Sequence, residues 1–189
     1  MRIGVDVDGV LRNLYTKMVE VYKVVYPNEF YRPVEEWKSY ILSDNFSIED
    51  EIYDFLFDSE YTEEIYTEAR PFYGIDIMRG ITDKHSIELI TDQKHDLPTF
   101  YTLNWLQGLG VPYHGLHFTK QKHLIDCDLY VEDNPKQIHS LVSHGKEVVV
   151  IDYLYNRPPD VMGAELSAGY NRYSSFYNFI KHSLKEGDL

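Results

Sequence analysis

The sequence predicts an α/β domain in three layers, a parallel β-sheet covered by helices on both faces, with a small helical cap inserted after the first strand. Three observations lead there. From Ser86 onward, short apolar runs alternate with stretches of helical length, the order that builds parallel strands joined by right-handed crossovers. The chain also opens on an apolar strand, Ile3, Val5 and Val7, that runs into Asp6, Asp8 and Gly9. Between these regions, residues 14–70 break the rhythm with short helices and aromatic-rich irregular chain. The expected division is a core of residues 1–13 and 71–189 and a cap of residues 14–70, which suits one domain with a small insertion in 189 residues.

Each element has its own signal. Leu14, Met18, Val21, Tyr22 and Val25 recur at helical spacing, and Pro27 closes that helix. Ser47 is placed to cap a short helix carrying Ile48, Ile52, Phe55 and Leu56 on one face, and Thr62 to cap another reaching Ala69. After Pro71 and Gly74, the residues Ile75, Met78 and Ile81 mark a helix towards Lys84. Strands are expected at Ser86 to Ile90, Leu116 to Thr119, Leu129 to Val131 and Glu147 to Ile151. Helices are expected from Leu97 to Gln107, stopped by Gly108, from Pro135 to His144, with Gly145 beyond, and from Ser174 to Leu184.

Composition narrows the function. A net charge of −13 disfavours polymeric nucleic acid and anionic membranes as partners, so a small anionic substrate needs a local cation. No uncharged apolar stretch is long enough to span a membrane and the first residues lack a secretion signal, which points to the cytoplasm. Cys127 is the single cysteine, so an internal disulfide and a cysteine-based zinc cluster are excluded.

The strand ends concentrate chemistry. Asp6 and Asp8, two apart on an extended chain, project to one side, and carboxylates that close repel unless a cation intervenes or one keeps its proton. Thr91 follows the second strand, Lys122 the third, and Glu132 with Asp133 the fourth. In a parallel sheet these ends face one crevice. An acid pair, a hydroxyl, a lysine and a second acid pair suit phosphoryl transfer. Magnesium takes about six oxygen ligands and keeps several waters, so Asp6, the Asp8 carbonyl and Asp133 with a substrate phosphate would suffice.

These residues resemble the haloacid dehalogenase-like phosphatase superfamily, a Rossmann-like fold whose four motifs match in order. Val5-Asp6-Val7-Asp8-Gly9-Val10-Leu11 is similar to the first, Thr91 to the second, Lys122 to the third and Glu132-Asp133 to the fourth. Phe118-Thr119-Lys120-Gln121-Lys122, Asp128 to Pro135 and Val150 to Arg157 further resemble the 5′-nucleotidase and deoxyribonucleotidase branch. The resemblance implies a nucleophile at Asp6, a general acid and base at Asp8, phosphate binding by Thr91 and Lys122, and magnesium ligation by Asp6, Asp8 and Asp133, with Glu132 acting through water. It implies hydrolysis of a nucleoside or deoxynucleoside 5′-monophosphate, and a homodimer.

Several alternatives stay open. Lys120 competes with Lys122, and Asp92 stands beside the phosphate site where the branch has a small neutral residue, with Lys94 or His95 to screen it. Arg12 and Asn13 are candidates to reach substrate from the hinge. Phe30, Tyr31, Trp37, Tyr40 and Phe46 either stack on a base or form the cap's core. A sugar phosphatase, a receiver-like signalling module and a silent nucleotide-binding protein are the competing functions.

Overall fold

Six strands form one sheet in the computed structural model, which describes residues 1–93, 95–157 and 171–184. They are β1 (Arg2–Val5), β2 (Ser86–Thr91), β3 (Gly115–Phe118), β4 (Leu129–Glu132), β5 (Val148–Ile151) and β6 (Asn171–Tyr173). Their order is β3-β2-β1-β4-β5-β6, and every neighbouring pair is parallel. From β1 the chain builds outward through β2 and β3, then returns to the other side of β1 for β4, β5 and β6. That reversal puts a topological switch point between β1 and β4, where such sheets bind ligands at their carboxyl ends.

The central strands β1, β2, β4 and β5 are buried on both faces, and their period of two divides the core. Ile3, Val5, Ile87, Leu89, Leu129, Val131, Val149 and Ile151 join one apolar cluster, while Ile90, Tyr130, Val148 and Val150 join another. Helices α4 (Ile75–Thr82), α5 (Asp96–Leu109) and α7 (Phe176–Phe179) supply the first cluster with Met78, Trp105 and Phe179, and α6 (Pro135–Ser143) supplies the second with Ile138 and Leu141. Gly4 has no side chain because a Cβ there would stand 2.9 Å from the Ile90 Cδ1 and 3.0 Å from the Tyr130 ring.

The inserted segment has a core of its own. Helices α1 (Leu14–Val25), α2 (Glu51–Phe57) and α3 (Thr62–Thr67) enclose Met18, Tyr22, Trp37, Phe46, Ile52, Leu56 and Ile65. Two adjacent chain segments connect it to the sheet: the Asn13 N–H donates to the Arg70 carbonyl at 2.9 Å and the Phe72 N–H to the Leu11 carbonyl at 2.8 Å. Among the described residues, no helix is long and apolar enough to cross a membrane.

Local expectations fail where hydrogen bonding or backbone sign overrides pattern. Ser47 is no cap: its hydroxyl donates to Glu29 at 2.7 Å, and α2 starts at Glu51. Thr62 instead accepts the Ser59 N–H at 2.9 Å from inside the first turn of α3. Helix α5 runs through Gly108 and stops at Gly110, whose φ of 60° is left-handed and whose N–H caps the Gln107 and Leu106 carbonyls. The last helix begins at Phe176 and widens into a π-helical turn over Ile180–Leu184, preceded by the unexpected strand β6.

Candidate active site

The ends of β1, β3 and β4 bring four charged groups together. Asp6 follows β1, its N–H held by the Val131 carbonyl at 3.0 Å. Lys122 opens the short helical turn Lys122–Leu124 after β3, and its Nζ lies 2.8 Å from Asp6 Oδ1 and 2.5 Å from Glu132 Oε2. Glu132 ends β4 and its other oxygen accepts the N–H groups of Asp133 and Asn134 at 3.1 and 3.0 Å. All four side chains are buried. Lys120 is exposed. The position after β3 that reaches the acids is therefore Lys122.

Asp133 is fully buried and divided between two tasks. Its Oδ2 accepts the Tyr155 hydroxyl at 2.6 Å, while its Oδ1 is buried with no hydrogen-bond partner. Gly9, at φ 80°, passes so close that a Cβ there would stand 2.2 Å from Asp133 Oδ2. Only glycine tolerates both that backbone sign and that approach. Tyr153 donates to the Gly9 carbonyl at 2.8 Å, and Asn156 holds the Asp133 carbonyl at 2.8 Å. The alternating pair Tyr153 and Tyr155 after β5 thus braces both halves of the acid site.

Asp6, Glu132 and Asp133 each offer an oxygen within 4.8 Å of the others. Three buried carboxylates face one lysine, so positive charge is in deficit. Burial and the Glu132 charge push Asp6 well above the usual carboxylate range and Asp133 up to about 8. Burial alone would lower Lys122, but Asp6 and Glu132 more than offset it and hold the ammonium charged. An unpartnered buried carboxylate oxygen beside a second acid is the donor set that a hard divalent cation requires, so the residues fit magnesium.

Asp8 leaves this cluster. Its carboxylate turns the other way and takes a bidentate contact from Arg12, Nε to Oδ1 at 2.7 Å and Nη2 to Oδ2 at 3.1 Å. Gln93 adds a bond from its amide to Oδ2 at 2.8 Å. The two motif acids therefore do not share one cation, because each has its own. Arg12, expected as a group that reaches substrate from the hinge, is fully buried and does not line the cavity above the acids. Asn13 starts α1 without a side-chain cap bond and does not line the cavity above the acids.

That cavity encloses about 390 Å³, within the usual range for small-molecule sites. Asp6, Asp8, Thr91 and Lys122 form its floor, with Asp92 and Gln93 from the loop after β2. The inserted segment supplies Tyr15, Tyr40, Tyr53, Phe57 and Tyr66. Of the aromatics singled out from sequence, only Tyr40 reaches the cavity, while Trp37 and Phe46 are buried in the insertion's core and Phe30 is exposed. His95 stacks on Phe57 with centroids 5.1 Å apart, and Lys94 lies outside the described residues.

The fold is that of the haloacid dehalogenase-like hydrolases. Solved structures with similar folds include "Crystal structure of putative beta-phosphoglucomutase from Thermotoga maritima", with TM-score 0.53 and 17% identity over 99% of this chain and 100% of that one. A hydrolase from Streptococcus pneumoniae gives TM-score 0.50 and 15% identity over 78% and 90%. Residues 1–165 match the family model described as 5′ nucleotidase, deoxy (pyrimidine), cytosolic type C protein, and the chain belongs to that family. Its relatives include a "Putative 5′(3′)-deoxyribonucleotidase" of Chlorobaculum tepidum, 29% identical over 82% of this chain and 80% of that protein. A nucleotidase of Clostridium acetobutylicum is 22% identical over 84% of each. Membership sets aside the receiver-like and silent-binding readings.

Proposed function

We propose that the protein hydrolyses a nucleoside 5′-monophosphate, with deoxynucleotides as the leading candidates, through an aspartyl-phosphate on Asp6 and with magnesium bound. The observation that carries this reading is the buried group of Asp6, Lys122, Glu132 and Asp133, with its unpartnered Oδ1, under an aromatic-walled cavity. The substrate class rests on the family and on the names of its relatives, and the family's cytosolic name supports the cytoplasm.

Lys122, and magnesium when bound, would hold Asp6 ionised against its burial, and the Asp6 carboxylate attacks phosphorus, forming an O–P bond as the bond to the substrate's 5′-oxygen breaks. Asp8 gives its proton to that leaving oxygen, then as carboxylate takes one from the water that attacks the aspartyl-phosphate, releasing phosphate and restoring Asp6. Lys122 binds a phosphate oxygen while orienting Asp6, and Glu132 fixes Lys122. Thr91 and the Asp92 to Gln93 loop hold the remaining oxygens. Magnesium held by Asp6, Asp133 and the Asp8 carbonyl would offset the negative charge of the phosphate. Residues 14–70 act as the cap, whose tyrosines and Phe57 receive the nucleoside.

A phosphate-release assay over ribo- and deoxyribonucleoside monophosphates and sugar phosphates, with and without magnesium, tests this. Metal-dependent release from nucleotides, lost in Asp6→Asn, is expected. Release that survives Asp6→Asn would overturn the mechanism, and activity confined to sugar phosphates would overturn the substrate.

A further inference from the structure

Arg12 is an arginine whose every exposed surface has been lost, at the hinge between core and cap. Its guanidinium serves three parts of the molecule. It grips both oxygens of Asp8, donates from Nη1 to the Tyr66 carbonyl of α3 at 3.2 Å, and donates from Nη2 to Thr102 Oγ1 of α5 at 2.9 Å. It lies 4.8 Å from the Tyr66 ring centroid and 5.2 Å from that of Trp105, whose indole N–H in turn bonds the Ala69 carbonyl at the far end of the hinge. Its own main chain pairs with Asp8 and Pro71. A surface ion pair would carry little information, but a fork held by two elements and two rings fixes the plane of the carboxylate it grips.

The pattern of bonds leaves one oxygen of Asp8 less occupied. Oδ2 accepts from both Arg12 and Gln93, whereas Oδ1 accepts from Arg12 alone and retains a lone pair. We propose that Arg12 is a positioning residue that fixes the Asp8 carboxylate for proton transfer to the leaving alcohol and couples that aim to the seating of the cap on α5. The proposal rests on the reading of Asp8 as general acid. Arg12 does not touch substrate: it acts through Asp8.

Leaving-group dependence separates positioning from mere structure. A nucleoside 5′-oxygen needs a proton as it departs, whereas the nitrophenolate of p-nitrophenyl phosphate leaves without one. In Arg12→Ala, kcat/KM for a nucleoside monophosphate should fall about 100-fold, the scale of general acid catalysis, with a loss at least tenfold smaller on the aryl phosphate. Added guanidinium should restore part of the nucleotide activity but little of the aryl activity. Arg12→Lys, which keeps the charge but not the fork, should show the same bias more mildly and carries the test if the alanine variant does not fold. Equal losses on the two substrates, or no loss, would overturn the proposal. Asp8→Asn, measured in parallel, isolates the underlying reading: if it shows no leaving-group bias, Asp8 is not the acid, whatever Arg12 does.

Discussion

Tyr155 decides which oxygen of Asp133 is available. Its phenol takes Oδ2 and leaves Oδ1 bare, and its ring is held edge-on to Tyr40 at 5.4 Å and stacked on Tyr153 at 4.9 Å. Groups that orient a metal ligand commonly change metal affinity by about 10- to 100-fold when removed. Tyr155→Phe should therefore weaken magnesium binding, read by titration calorimetry, by about tenfold, and Asp133→Asn should abolish the binding heat. Wild-type affinity in Tyr155→Phe would show that the phenol only packs. Asp6, Thr91, Lys122, Glu132 and Asp133 were legible in the sequence because each is a polar residue where an apolar strand runs out. The contacts of Arg12, Gln93 and Tyr155 were not legible, because they depend on which way a loop turns after the strand. Signals did exist: Asp8 and Arg12 are opposite charges four apart around Gly9, and Tyr153 and Tyr155 alternate directly after β5.

At the scale of elements, strand centres were clear and element ends were not. The sequence offers Gly108 and Gly110 two positions apart, and only the left-handed backbone at Gly110 tells which one ends α5. Strand β6, Asn-Arg-Tyr at the sheet edge, has no apolar run to announce it. It is held through Arg172, which bonds Asp152 Oδ1 and the Asn156 side chain, each at 3.0 Å. The turn carrying Lys122 meets the end of α6 through His123 and His144, whose rings stack with centroids 3.7 Å apart. Desolvation, His144 and Lys146 hold the pKa of His123 below its ordinary value of 6.5. Because the folded value is the lower one, the contribution of His123 to stability is complete above pH 6.5 and is lost as the pH falls below it. Urea unfolding at about pH 7.5 and about pH 5.5 should show wild type losing more stability on acidification than His144→Asn, a difference that cancels the other titrating groups. Equal losses would mean that the two rings do not sense each other's charge.

The whole molecule was the most legible level, since a parallel order leaves few arrangements for strands that alternate with helices. The interior of the inserted segment was the least legible, because aromatics in a small helical unit serve core and cavity alike, and Tyr15, Tyr53, Phe57 and Tyr66 line the cavity without any motif to mark them. Charge acts at this scale too. A chain of net charge −13 repels an anionic nucleotide at long range, and the buried Lys122 acts only once the phosphate has arrived. Lys136, exposed at the first turn of α6, is a surface cation on the cavity wall. Exposed charges more than about 10 Å apart are largely screened at 0.1 M salt, so added salt should relieve the repulsion more than it weakens Lys122. At saturating magnesium, kcat/KM for a nucleoside monophosphate should rise about twofold between low salt and about 0.2 M potassium chloride, the reverse of a protein that steers its anionic substrate by a basic surface. In Lys136→Ala the rise should be steeper, because less attraction remains to be screened. A fall with salt in the wild-type protein would show that local cations, and not the overall charge, govern how the substrate is captured.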